Sequence, residues 1–125
     1  MDIIDEDSDP VGVGLLLGLL IGEGHFGGDG RQGHVAIRMH VRHEGIFHWL
    51  QAAVPGSKLY GPYHHGGRHY YHWVCRGRPL WDGLVPLVGR HLHLLDDHVA
   101  RRFLSMTARY GVEGGGAIRP PEPAT

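Results

Sequence analysis

The stretch LLLGLLIGEG, Leu15 to Gly24, decides how this chain folds. Its apolar residues recur at helical spacing, so Leu15, Leu16, Leu19, Leu20 and Ile21 are expected to fill a buried stripe. Gly18 and Gly22 stand four residues apart on one face of that helix and leave it nearly bare. A bare face lets a second helix approach backbone to backbone. Glu23 closes the run at the helix C-terminus, where the dipole works against a carboxylate. An acid held there needs a cation, and Gly24 ends the helix directly behind it.

Upstream, Pro10 stops any earlier element, and the helix is predicted over about Val13 to Glu23. Asp2, Asp5, Glu6, Asp7 and Asp9 crowd the first nine residues, so residues 1–10 read as a solvated acidic tail. That segment masks the charge of the rest. The 125-residue chain has a formal net charge of -1, yet Val11 to Val112 holds eleven Lys and Arg against six Asp and Glu. All twelve histidines lie there too. Such a basic body suits DNA or RNA. Residues 113–125 are rich in Gly and Pro and are expected to be disordered. Residues 11–112 therefore form one domain. Its single cysteine, Cys75, excludes an internal disulfide and a cysteine-rich zinc site, which fits an intracellular protein. The apolar run from Val11 to Ile21 is too short to cross a bilayer, so no membrane partner is expected.

Downstream, His25 to Gly28 read as a short strand and Asp29-Gly30 as a turn. His34 to Arg42 alternate cleanly: Val35, Ile37, Met39 and Val41 face one way, with His34, Ala36, Arg38, His40 and Arg42 facing the other. Glu44 to Val54 fit a second helix with Phe47, Leu50 and Val54 inward. Lys58 to Tyr63 make a third strand, His64 to Gly67 a hairpin turn, and Arg68 to Arg76 a fourth strand. Pro79 or Leu80 opens a third helix that Gly83 and Pro86 make irregular. Leu94 to Arg109 form the last helix. The order α-β-β-α-β-β-α-α predicts an α+β fold.

Backward alternation puts His25 and Gly27 on the polar side of the first strand, opposite buried Phe26, with Arg31 at its end. Leu59 is the natural core residue of the third strand, which leaves Lys58 and Tyr60 outward. A strip of Arg, Lys, His and Tyr suits major-groove recognition, in which arginine pairs with guanine and the other groups reach bases or phosphates. The fourth strand has two readings. Tyr71, Trp73 and Cys75 share one face and Tyr70, His72, Val74 and Arg76 the other; burial of a large aromatic turns Trp73 inward, whereas the spacing from Val74 to Leu80 turns it outward. Arg68 and Arg76, at the strand ends, are contact candidates under either. His64, His65, His69 and His72 invite a zinc or nickel reading, but no cysteine or acid joins them, and phosphate contacts are favoured.

The run from Leu16 to Gly24 resembles the signature of the LAGLIDADG homing endonucleases, in the variant ending Gly-Glu-Gly, and Phe26 matches the usual opening of the family's first strand. The resemblance extends over roughly Val13 to Tyr110. It implies a four-stranded antiparallel sheet with helices packed on one face and the other face free for DNA. It implies a homodimer crossing at Leu15, Gly18, Leu19 and Gly22. Glu23, with Gly22 beside it, would hold Mg2+ (or Mn2+, or Ca2+ in an inhibited form), and Glu23 would be catalytic. The expected activity is metal-dependent hydrolysis of a long, near-palindromic double-stranded DNA site, leaving 3′ overhangs, in the cytoplasm or nucleoid and serving intron or intein mobility. The expected DNA contacts are His25, Arg31, His34, Arg38, His40, Arg42, Lys58, Tyr60, Arg68 and Arg76. One departure matters. Aligning Ala100 with the family's small helical residue puts Asp96 where a basic residue, commonly lysine, belongs. The alternative is therefore a non-cleaving DNA-binding regulator or RNA-binding splicing factor of the same fold.

Overall fold

Asp9 starts the first helix. Its carboxylate accepts the Gly12 N–H at 2.9 Å, and Pro10 takes the first turn, where a missing N–H costs nothing. The helix, α1 (Pro10–Glu23), thus begins earlier than the expected Val13. The computed structural model describes residues 2–111; the tail expected at 113–125 lies outside them. After α1 come β1 (Gly24–Gly28), β2 (Gly33–His40), α2 (Glu44–Ala53), β3 (Lys58–His65), β4 (Arg68–Cys75), α3 (Val85–Gly89) and α4 (Asp97–Tyr110). The fold is α+β with one four-stranded antiparallel sheet, as expected; its strand order is β1-β2-β4-β3.

The helices pack on one face of the sheet. Phe26, Val35, Ile37, Tyr71, Trp73 and Cys75 line that face and are buried beneath Leu16 and Leu20 of α1, Phe47 and Leu50 of α2, and Phe103 and Met106 of α4. Each fully buried side chain of this size contributes roughly 1.5–3 kcal/mol of transfer free energy. Phe26 meets Phe103 edge to face at 5.9 Å between centroids, an arrangement aromatic rings prefer. Tyr71 donates its hydroxyl to Glu44 in the first turn of α2, tying that helix to the sheet.

Trp73 points inward. It lies opposite Ile37 of β2, is completely buried, and donates its indole N–H to Ser57 Oγ at 2.9 Å. The outward reading of Trp73 is thereby corrected, and Tyr70, His72, Val74 and Arg76 take the open side.

Several other expectations change. β2 stops at His40, and Val41 to His43 form a 3-10 turn, so Arg42 leaves the strand. β3 runs on to His65 with a register shift between Tyr60 and Tyr63, which leaves only Gly66-Gly67 for the turn. Pro62 lies in that irregular edge strand, where a residue without an N–H is tolerated. Pro79 does open the irregular third helix: Pro79–Leu84 is π-helical and leads into α3. Pro86 has no N–H to continue the ladder, and Val85 N–H reaches back five residues to Leu80. The last helix begins at Asp97 rather than Leu94, because Leu95 is extended and buried.

The acidic N-terminal segment is not a free tail. Ile3 and Ile4 pack against the core, and Ile4 N–H donates to Ala53 O at 3.1 Å. Glu6 accepts two bonds from Arg90, at 2.8 and 3.0 Å, and lies 2.7 Å from His91 Nε2. The Arg90 guanidinium, with further hydrogen bonds, holds the Glu6 carboxyl down to about 2.

Candidate nucleic-acid interface

The open face of the sheet is built in rows that the strand register fixes. One row reads His25, Ala36, Val74, Lys58 across β1, β2, β4 and β3. The next reads Arg38, His72, Tyr60, followed by His40, Tyr70, Tyr63. Ala36 and Val74, each 7% exposed, form a low floor with longer polar side chains around it. His34 lies beside His25, with ring centroids 5.6 Å apart. Arg68 lies opposite His65 near the hairpin, and Arg76 follows the end of β4.

Two arginines on this face are held in place by aromatic neighbours. The Arg38 guanidinium lies 5.0 Å over the Tyr70 ring, and Arg76 donates to Tyr60 Oη at 3.2 Å. Both contacts limit side-chain freedom while leaving guanidinium donors for a ligand. Arg31 belongs to the β1–β2 turn, whose shape is set by the Asp29 carboxylate accepting the N–H groups of Arg31 and Gln32 at 2.8 and 2.9 Å. Arg42 donates its backbone N–H to His40 Nδ1 at 3.0 Å, so His40 keeps Nε2–H as its donor.

Three histidines of this face hold their protons less tightly than an ordinary histidine. Burial, with His25 and Arg76 adding repulsion, lowers the proton affinity of His34. Burial, then Arg38, His34, Arg76 and His25, does the same for His72. His40 is lowered by desolvation, Arg42 and neighbouring histidines. Burial pushes the Cys75 thiol up to about 12, which leaves it inert as a nucleophile.

Glu23 opens onto the same face. A hollow lined by Glu23, His25, His34, Ala36, Arg38 and His72 joins the end of α1 to the sheet. Glu23 is exposed, and among the described residues no cation lies within 4.0 Å of its carboxylate. An ordinary salt-bridged helix end is therefore a poor description of it. Gly24 explains why the acid sits so close to the sheet. α1 passes into β1 with no linker, and a Cβ at residue 24 would collide with the Leu20 carbonyl.

The glycine face of α1 is bare on the outside. A Cβ at Gly14, Gly18 or Gly22 would meet nothing within 4 Å. Val11 and Leu15, on the same side, are 81% and 40% exposed. Leu15 thus leaves the expected buried stripe, and Leu19 and Ile21 are half-buried; Val13 and Leu17 complete the core instead.

Sequence reasoning omitted Tyr70 and His72 from the contact set. The available signal was the alternation through Trp73, once that indole is turned inward. Asp96 occupies the N-cap position of α4, with no side-chain cap bond, and is exposed. No three His, Cys, Asp or Glu side chains among the described residues converge to enclose an ion. Magnesium asks for less, since it commonly uses one or two carboxylates, water and substrate phosphates. No described helix is long and apolar enough to span a membrane. No protein-family model matches the chain, and no curated protein matches it.

Proposed function

We propose that this protein is a homodimeric, site-specific, metal-dependent DNA endonuclease of the LAGLIDADG homing type. The observation that carries this reading is Glu23, an exposed acid with no cation within 4.0 Å among the described residues, standing between a bare helix face and a basic sheet face. Two copies crossing along Gly14, Gly18 and Gly22 would bring two Glu23 carboxylates together on a twofold axis. Each sheet would then cover one half of a near-palindromic duplex. Arg38, Arg76, His40 and Tyr60 would meet base edges or phosphates, and Arg31, Arg42, Lys58 and Arg68 would hold the backbone. The paired Glu23 carboxylates would hold a divalent cation, which would supply charge neutralisation and water activation at the scissile phosphate. DNA as the substrate sets the site of action in the cytoplasm or nucleoid.

Glu23→Gln tests the assignment. The variant is expected to dimerise and bind DNA like the wild type while losing strand cleavage. Retained magnesium-dependent cleavage would remove Glu23 from the catalytic role.

Asp96 favours a second reading, a non-cleaving DNA-binding regulator or RNA-binding splicing factor of the same fold. A carboxylate at the start of α4 adds repulsion where the resembling family supplies a cation. The two readings share the sheet face and the dimer and differ in turnover.

A further inference from the structure

The basic surface does not end with the sheet. His98, Arg101, Arg102, Ser105 and Arg109 line a trough between α4 and the edge strand β1. On α4 these residues fall three or four apart, so they form one continuous stripe. The opposite side of the helix, with Val99, Phe103, Met106 and Tyr110, is buried. The stripe spans eleven residue steps, about 16 Å of helix, long enough to meet several successive phosphates of one strand.

Ion pairing within the protein does not account for it. Among the described residues no carboxylate lies within 4.0 Å of Arg101, Arg102 or Arg109. Arg109 is set over the Tyr110 ring at 5.1 Å, and Tyr110 is itself anchored by accepting the Gly30 N–H at 3.1 Å. The other wall is low, because β1 presents Gly27 and Gly28 there. His25 belongs both to this trough and to the hollow that holds Glu23. The two basic surfaces therefore meet at His25 on the β1 edge, with Glu23 lining the hollow on the sheet side.

We propose that the α4–β1 trough is a second track for a DNA sugar–phosphate backbone, leading the bound strand toward Glu23. The proposal rests on the reading of the sheet as a DNA-binding face. Guanidinium groups without acids can pair bidentately with phosphates, and such contacts position a strand without reading its sequence. Arg101, Arg102 and Arg109 are positioning residues in this scheme.

The test is equilibrium binding of a labelled random-sequence duplex to the full chain across a salt series. The triple variant Arg101→Gln, Arg102→Gln and Arg109→Gln is expected to flatten the slope of log affinity against log salt by about 2 to 3. Ser105→Glu, an exposed change that keeps all three arginines, is expected to weaken binding at low salt. Matching melting temperatures would show that both variants fold. Wild-type slopes in both variants, with Arg38→Gln still weakening binding, would overturn the α4 track and leave the sheet reading intact. Sensitivity at α4 with Arg38→Gln silent would overturn the sheet reading, and the track with it. Competition by poly-glutamate as effective as competition by DNA would overturn the choice of a nucleic-acid backbone.

Discussion

The Trp73 indole N–H donates to Ser57, whose hydroxyl in turn donates to the Val54 carbonyl at 2.6 Å. Ser57→Ala strands a buried indole N–H and is expected to cost about 1–3 kcal/mol in urea unfolding; a change within experimental error would contradict the assigned role. Nothing in the sequence marked Ser57, which sits in the α2–β3 connection without a periodic neighbour. Period-two alternation gave two equivalent faces for β4, and only its pairing with β2 chooses between them. Histidine chemistry makes a second residue-scale prediction. His34 and His72 hold protons less tightly than an ordinary histidine, and a polyanion on their face would tighten both. Binding then takes up protons, so DNA affinity is expected to rise as pH falls through the complex's values, by at most about tenfold per unit per proton. It levels off below the free protein's values. The unliganded fold behaves oppositely: the stabilisation is present above about pH 6.5 and is lost as pH falls through the lowered folded values. A flat affinity profile at constant salt, in a protein that does bind DNA, would contradict the placement of these two histidines against the ligand.

At the scale of the element, α1 carries the dimer prediction. Leucine at position 18 meets open space in the protomer and is a better helix former than glycine by up to about 1 kcal/mol. Gly18→Leu is therefore expected to leave the protomer at least as stable while abolishing the dimer in sedimentation equilibrium. Wild-type dimer affinity would refute a close helix crossing. The four strands and the α-helices were legible in outline, whereas their boundaries and the 3-10 and π-helical turns were not. Asp9 and Pro10 form a helix start hidden in what read as a charged tail, and Ile3 and Ile4, two apolar residues among acids, packed where composition suggested solvent. The early end assumed for the α3–α4 connection failed because burial of Leu95 outweighed the helical propensity around it.

For the whole molecule, a sheet covered on one side presents two chemically different faces, and alternation revealed the split on β2 but not on β4. The α4 trough escaped notice because it joins residues about seventy positions apart, His25 with His98 to Arg109. Substrate and symmetry are properties of the assembled molecule, and one experiment reaches both. Purified protein would be incubated with a randomised double-stranded DNA library, with magnesium or with EDTA, and the cut ends sequenced. Magnesium-dependent enrichment of a near-palindromic site cut to leave 3′ overhangs is the expected result. Enriched binding without any cutting would contradict the endonuclease and favour the regulator, with Asp96→Lys as the first variant to make.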